Sequence, residues 1–377
     1  MDTALNPSSM PDDLGRFLSQ MVAHGASDLF LSSGAPASLK IQGAVVRLPE
    51  APLTGSQVQR LAYSVMREAQ IRAFEASMEC DLAIAIDGLG RFRVNVYRQR
   101  GDVGVVVRHV NARIPSLEAL KLPPVLGRLA MLKRGLVLVV GAAGSGKSTS
   151  LAAMLHFRNQ NATGHILTVE DPMEFEHSHG KSIVDQREVG LDTQSFDEAL
   201  RHAMREAPDV IMIGEIRDRE TMQHALAYAE TGHLCVSTLH ANNANQAAQR
   251  ILNFFPEAAH KQVLMDLSLN LKGVVGQRLI RGAQNKLVPA VEVMLLSPYI
   301  ADLIQKGQID EIKDVIAKSN ELGMATFDQS LYALYQNGDI TEEQALDHAD
   351  SRTDLSLRIR LHRHQRPDTS SLHMTTA

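Results

Sequence analysis

Apolar residues follow two different spacings along this chain, and the change between them marks two domains. Near the start, Leu14, Phe17, Leu18, Met21 and Val22 recur at the three- and four-residue steps of one helix face, so a helix is predicted over 14–24, stopped by Gly25. Short runs follow at 27–32, 39–46, 82–86, 92–96 and 103–107, with Gly, Pro or Asp between them. They read as strands, and a second helix is predicted over 56–75. Residues 1–110 therefore read as a small α+β domain around an antiparallel sheet. Pro115, Pro123 and Pro124 mark 111–124 as a linker.

After the linker the apolar runs become continuous. Residues 136–140, 166–169, 210–213 and 234–237 alternate with helical stretches, the pattern of a parallel sheet covered on both faces. The region 256–350 reads as helical throughout. The end of the chain is polar, and 362–377 is expected to be a disordered tail. Five arginines (352, 358, 360, 363, 366) face only Asp354 and Asp368 there, which reads as a solvated basic segment. The expected organisation is thus a domain over 1–110, a linker over 111–124, an α/β domain with a helical end over 125–361, and the tail.

Composition narrows the function. With 44% apolar and 21% charged residues the chain is globular, and no stretch approaches the ~20 apolar residues of a membrane span. Met1 to Arg16 lacks an apolar run, so no signal peptide is expected. Cys80 and Cys235 are isolated, which fits neither a disulfide framework nor a CxxC metal site and suits a reducing cytoplasm. The net charge of −5 and the absence of Trp argue against a nucleic-acid partner.

The chemistry is concentrated at strand ends. The run 136–140 leads directly into Gly141, Ala142, Ala143, Gly144, Ser145, Gly146, Lys147, Ser148 and Thr149, with a helix predicted next. This is the phosphate-cradling loop G-x-x-x-x-G-K-[S/T] in its required strand–loop–helix context. Lys147 is expected to reach the β- and γ-phosphates of ATP, and Ser148 to bind Mg²⁺. The strand 210–213 delivers Glu215, the carboxylate that would hold Mg²⁺ or its water shell. The strand 166–169 ends in Glu170 and Asp171, either of which could orient an attacking water, unless Asp171-Pro172 is simply a turn opener. The strand 234–237 is flanked by His233 and His240, which would bring an imidazole near the γ-phosphate. His177 and His179 read as loop residues rather than metal ligands.

Four stretches in this order resemble the secretion and pilus motor ATPases, and in particular the PilT/PilU retraction branch: 141–149, ILTVEDPMEFE at 166–176, DVIMIGEIRD at 209–218, and AETGHLCVSTLH at 229–240. Residues 25–32, 90–96, 327–331 and 354–359 resemble the family as well, so the likeness spans roughly 14–361. The resemblance implies a PAS-like domain ahead of a RecA-like one, assembled as a homohexameric ring that hydrolyses ATP to depolymerise a type IV pilus. It implies Glu170 as the water-activating carboxylate, Glu215 as the magnesium-side carboxylate, and His233 as a γ-phosphate sensor. It also implies that Arg93 and Arg108 reach the neighbouring subunit's γ-phosphate, where the plainer reading makes them exposed sheet arginines. The implied partners are an inner-membrane platform protein and a companion retraction ATPase, with the ring docked at the cytoplasmic face of the inner membrane.

One departure places the chain within the branch. PilT-type chains carry Ala-Ile-Arg-Asn-Leu-Ile after the core, and here Ser297 to Ile304 reads SPYIADLI. The lost arginine and the added tail are more similar to the accessory PilU branch. The principal retraction motor, the assembly motor, a non-hydrolysing regulatory subunit and a RecA-like DNA translocase are the alternatives. The assembly motors usually have a longer N-terminal region and often a Cys₄ metal site.

Overall fold

The computed structural model describes residues 4–5, 12–41, 43–110, 113–282 and 286–365. They fall into two compact units. One comprises Met1–Ile114 with Pro172–His177 and Arg187–Ser195, and the other the remainder of the chain.

The first unit is built on one sheet. Its elements are β1 (Ala4–Leu5), α1 (Asp12–Ala23), β2 (Asp28–Leu31), β3 (Ser38–Ile41), β4 (Ala44–Arg47), α2 (Gly55–Tyr63), α3 (Glu68–Ser77), β5 (Glu79–Ile86), β6 (Gly90–Gln99) and β7 (Asp102–Val110). The strand order is β1-β5-β6-β7-β2-β3-β4, antiparallel except where β1 joins β5. Alternate residues of β6, Phe92, Val94 and Val96, are buried against Leu14, Phe17, Leu18 and Met21 of α1 in one core. Two sequence expectations are corrected here. The run 39–46 is not one strand but the hairpin β3–β4, which closes on itself Ile41 to Ala44. The helix 56–75 is two helices. The Ser64 hydroxyl turns back onto the Leu61 carbonyl at 2.7 Å, and Val65 and Met66 bury themselves in the break, so apolar burial overrides helix continuity.

The second unit contains α4 (Val125–Ala130), β8 (Gly135–Val140), α5 (Lys147–Asn161), β9 (Gly164–Glu170), β10 (Ser182–Glu188, its last two residues counted with the first unit), α6 (Phe196–Ala203), β11 (Val210–Ile213), α7 (Arg219–Glu230), β12 (Leu234–Leu239), α8 (Ala244–Leu252), α9 (His260–Asn270), β13 (Leu271–Arg281) and β14 (Leu287–Leu295). Five helices follow: α10 (Pro298–Lys306), α11 (Ile312–Lys318), α12 (Phe327–Gln336), α13 (Glu342–Asp347) and α14 (Arg352–Gln365). The sheet order is β10-β9-β11-β12-β8-β13-β14. From β9 to β13 neighbouring strands run parallel, and β14 closes the edge antiparallel. Every residue of β8, β11 and β12 is buried, which is why their sequences are continuously apolar.

The reading of 256–350 as wholly helical is corrected, because β13 and β14 lie inside it. Gly276 of β13 is needed there: a Cβ at this position would stand 2.9 Å from the Phe327 ring of α12. Pro289 is tolerated in β14 because that strand is the sheet edge. Of the segment expected to be disordered, 366–377 lies outside the described residues, while α14 runs to Gln365. Among the described residues no helix is long and apolar enough to cross a membrane.

Candidate active site

The parallel strands present their carboxyl ends at one edge, where open α/β sheets bind ligands. Residues 141–146 leave the end of β8 there and turn into α5. Gly146 caps that helix at φ 86°, and a Cβ on it would meet Gln277 Nε2 at 2.7 Å. Gly141 approaches the neighbouring backbone as closely, since a Cβ there would stand 2.5 Å from the Gln277 carbonyl. Gln277 of β13 also accepts a 2.6 Å hydrogen bond from Ser150, which fixes α5 against the sheet. Lys147 is 8% exposed, and its Nζ donates to the carbonyls of Gly141 and Ala142, each at 2.9 Å. The first turn of α5 holds no acidic residue, so no carboxylate of its own competes for its amide dipoles. A pocket of about 330 Å³ lies against Gly141–Ser145, and Asn242, Arg278 and His348 form other parts of its wall.

Glu170 ends β9 and is 7% exposed. Its Oε1 accepts from the Thr168 hydroxyl at 2.7 Å and from Gln186 Nε2 at 3.0 Å. Glu215 follows β11 by one residue beyond Gly214. Its Oε2 accepts from Arg217 Nε at 2.8 Å, and His240 Nε2 lies 2.9 Å from its Oε1. The bond to Glu215 is the main reason the Arg217 guanidinium is held above its ordinary pKa. Arg217 also reaches Asp171 at 3.3 Å, which ties the two carboxylate-bearing strand ends together. With parallel strands about 4.8 Å apart, the end of β11 lies about 10 Å and that of β9 about 14 Å along the edge from the end of β8.

His233 does not join this group. The parallel pairing of β12 with β8 sets Leu234 beside Gly135, and the His233 carbonyl accepts from the Gly135 amide at 3.0 Å. Six strand residues at about 3.3 Å each separate that end of the sheet from the loop after β8, roughly 20 Å. The imidazole at the ligand edge is that of His240, two residues from the Thr238 that binds the Gly214 carbonyl. Strand polarity alone would have chosen it, since β12 must run parallel to β8 and end where β8 ends.

Arg93 and Arg108 belong to the first unit, where β6 and β7 set them directly opposite one another. Each is matched by a carboxylate of the same unit. Arg93 Nε bonds Glu188 at 2.9 Å, and Arg108 Nε bonds the buried Asp28 at 3.0 Å. The Arg108 side chain remains 61% exposed, against 25% for Arg93.

A family model described as type II/IV secretion system protein matches residues 6–321. The chain is 55% identical over 347 residues to the type IV pilus ATPase PilU of Pseudomonas aeruginosa, covering 92% of this chain and 91% of that protein. It is 41% identical over 337 residues to the type IV pilus retractation ATPase PilT of the same organism, covering 89% of this chain and 98% of the relative. Among solved structures, that of the pilus retraction motor PilT with bound ADP matches with a TM-score of 0.84 at 40% identity, covering 90% of this chain and 98% of the other. The fold is accordingly the expected one, a RecA-like α/β unit with a small antiparallel-sheet domain ahead of it.

Proposed function

The chain belongs to the type II/IV secretion system protein family, and from that premise we propose that it is a motor ATPase of type IV pilus retraction, acting as an accessory to a principal retraction motor. One observation carries the reading: the loop 141–149 and the carboxylates of Glu170 and Glu215 leave parallel strands at the same sheet edge. The higher identity to PilU than to PilT favours the accessory role over the principal one.

In this reading ATP lies with its phosphates on the amides of 141–149. Lys147 neutralises the β- and γ-phosphates. Glu170, oriented by Thr168 and Gln186, accepts the proton of the attacking water. Mg²⁺ fits the residues present: the Ser148 hydroxyl and the Glu215 carboxylate are hard oxygen donors, and this ion uses one or two protein oxygens beside phosphate and water. Bound there, it would neutralise charge developing on the phosphate oxygens. His240, hydrogen-bonded to Glu215, takes the sensing role that the resemblance assigns to His233. Arg93 and Arg108 serve the neighbouring subunit of a hexameric ring. The ring works at the cytoplasmic face of the inner membrane, against a platform protein, beside the companion ATPase and without nucleic acid.

Glu170→Ala and Glu215→Ala are both expected to lose turnover while keeping nucleotide binding, because the phosphate cradle is mostly backbone. Equilibrium binding of a labelled nucleotide checks this, and lost affinity in both variants would make the carboxylates structural. Deletion of the protein is expected to weaken pilus retraction under load, with residual retraction by the companion. A complete loss with the companion intact would instead mark this chain as the principal motor.

A further inference from the structure

The pocket beside the loop 141–145 holds a cation that no sequence motif marks. Gly276 of β13 pairs with Val140, the last residue of β8, so β13 continues past the sheet edge alongside the phosphate loop. Arg278 stands on that overhang and forms part of the pocket wall, as does His348. Its guanidinium is held from the far side by the C-terminal helices. Nη1 donates to the His348 carbonyl and Nη2 to Asp350 Oδ1, each at 2.7 Å. The guanidinium carbon lies 3.8 Å from the centre of the Phe327 ring of α12. Asp350 in turn binds Lys313, and its amide and that of Ser351 are capped by Asp328. The turn between α13 and α14 is thus fastened to the nucleotide pocket through one side chain.

We propose that Arg278 is a phosphate-binding residue acting within its own subunit, and that its exchange between phosphate and the 348–350 turn makes α13–α14 a nucleotide-responsive element. The inference rests on the nucleotide reading above. A guanidinium has five donors in a planar fork and can take phosphate oxygens in two-pronged fashion. Among the described residues, the terminal nitrogens of Arg278 meet a carbonyl and a shared carboxylate, and the Asp350 charge is already divided with Lys313. A polyphosphate entering the pocket offers more negative charge than the turn does. When the guanidinium follows it, the turn loses its fastening and the small core of Phe327, Leu331, Ala345 and Leu355 is left to hold the bundle.

The test uses the full chain and the analogue AMP-PNP with Mg²⁺. Arg278→Gln is expected to weaken binding roughly tenfold to a hundredfold, the loss of a charged hydrogen bond, with Arg278→Lys recovering part of it. Asp350→Asn is expected to tighten binding by roughly threefold or more, because the guanidinium is no longer shared with a full charge. This second variant decides the matter if Arg278→Gln folds poorly. In the wild-type chain the analogue is expected to speed amide hydrogen exchange over 346–355, and in Arg278→Gln to leave it unchanged. Binding within twofold of wild type for Arg278→Gln overturns the proposal. So does unchanged or weakened binding for Asp350→Asn, or wild-type exchange that does not rise. If the wild-type chain binds no AMP-PNP, the nucleotide reading itself falls and takes this inference with it.

Discussion

Lys147→Ala is expected to lower ATP hydrolysis by a factor of 10²–10³ or more, about the cost of removing one preorganised donor from a transition state that develops charge. The argument is geometric. Lys147 opens α5, and its ammonium is 8% exposed inside the loop that would wrap the phosphates. It donates to two neutral carbonyls, those of Gly141 and Ala142. Neither carbonyl neutralises a positive charge, and the ammonium lies inside the loop that would wrap the phosphates. Alanine removes the charge and both hydrogen bonds, and the loop loses an internal brace as well. The measurement is steady-state phosphate release by purified protein whose circular dichroism matches wild type. Activity above a few per cent of wild type would refute the placement of phosphate at 141–149.

The second large effect is expected in trans. Arg108→Ala and Lys147→Ala proteins are each expected to be inactive, and their mixture to recover activity. A finger supplied by a neighbouring subunit can be worth roughly 10³–10⁵ in rate. Arg108 is the better candidate of the pair. It is anchored through Nε on Asp28 and remains 61% exposed, which leaves its fork directed at solvent, whereas Arg93 is less exposed and bound to Glu188. Arg93 and Arg108 lie directly opposite on antiparallel strands, each guanidinium bound to its own carboxylate. In a ring each interface is heterologous, so one subunit gives the loop and the next the arginine. With equal amounts mixed at random, roughly a quarter of interfaces then carry both intact groups. Recovery of about that share in verified mixed rings supports the assignment. Mixed rings that stay inactive, or an active Arg108→Ala protein, would refute it.

Much of this site was legible because its signals are local. The apolar run of β8, the glycines after it and Lys147 sit within a dozen consecutive residues, while Glu170 ends one buried strand and Glu215 follows another by two positions. What escaped was encoded at long range. β13 reads LKGVVGQRLIR, with small and polar residues where a strand would show apolar ones, because α12 packs against Gly276 and the Gln277 side chain braces α5. β14 contains Pro289, tolerable only at an edge that the sequence alone does not reveal. The different positions of His233 and His240 escaped for another reason. Histidines flank the strand at both ends, and only the direction of β12 relative to β8 separates them. Arg278 became visible only once the register of β13 against β8 was known.

The strand β10 has a bearing on how the chain is checked after folding. Ser182, Val184, Gln186 and Glu188 turn to one side of it, and two of these bind Glu170 and Arg93. Because side chains alternate, a slip of one residue would turn all four outward together. Both contacts would vanish at once while the amount of strand and helix stayed nearly constant. Spectroscopic content would then certify as native a product whose Glu170 carboxylate and Arg93 guanidinium have both lost their holders. Such an error has opportunity, since β10 is an edge strand with a neighbour on one side only and non-local pairings form late. For preparations of this protein, turnover per folded chain is therefore the sounder measure of quality.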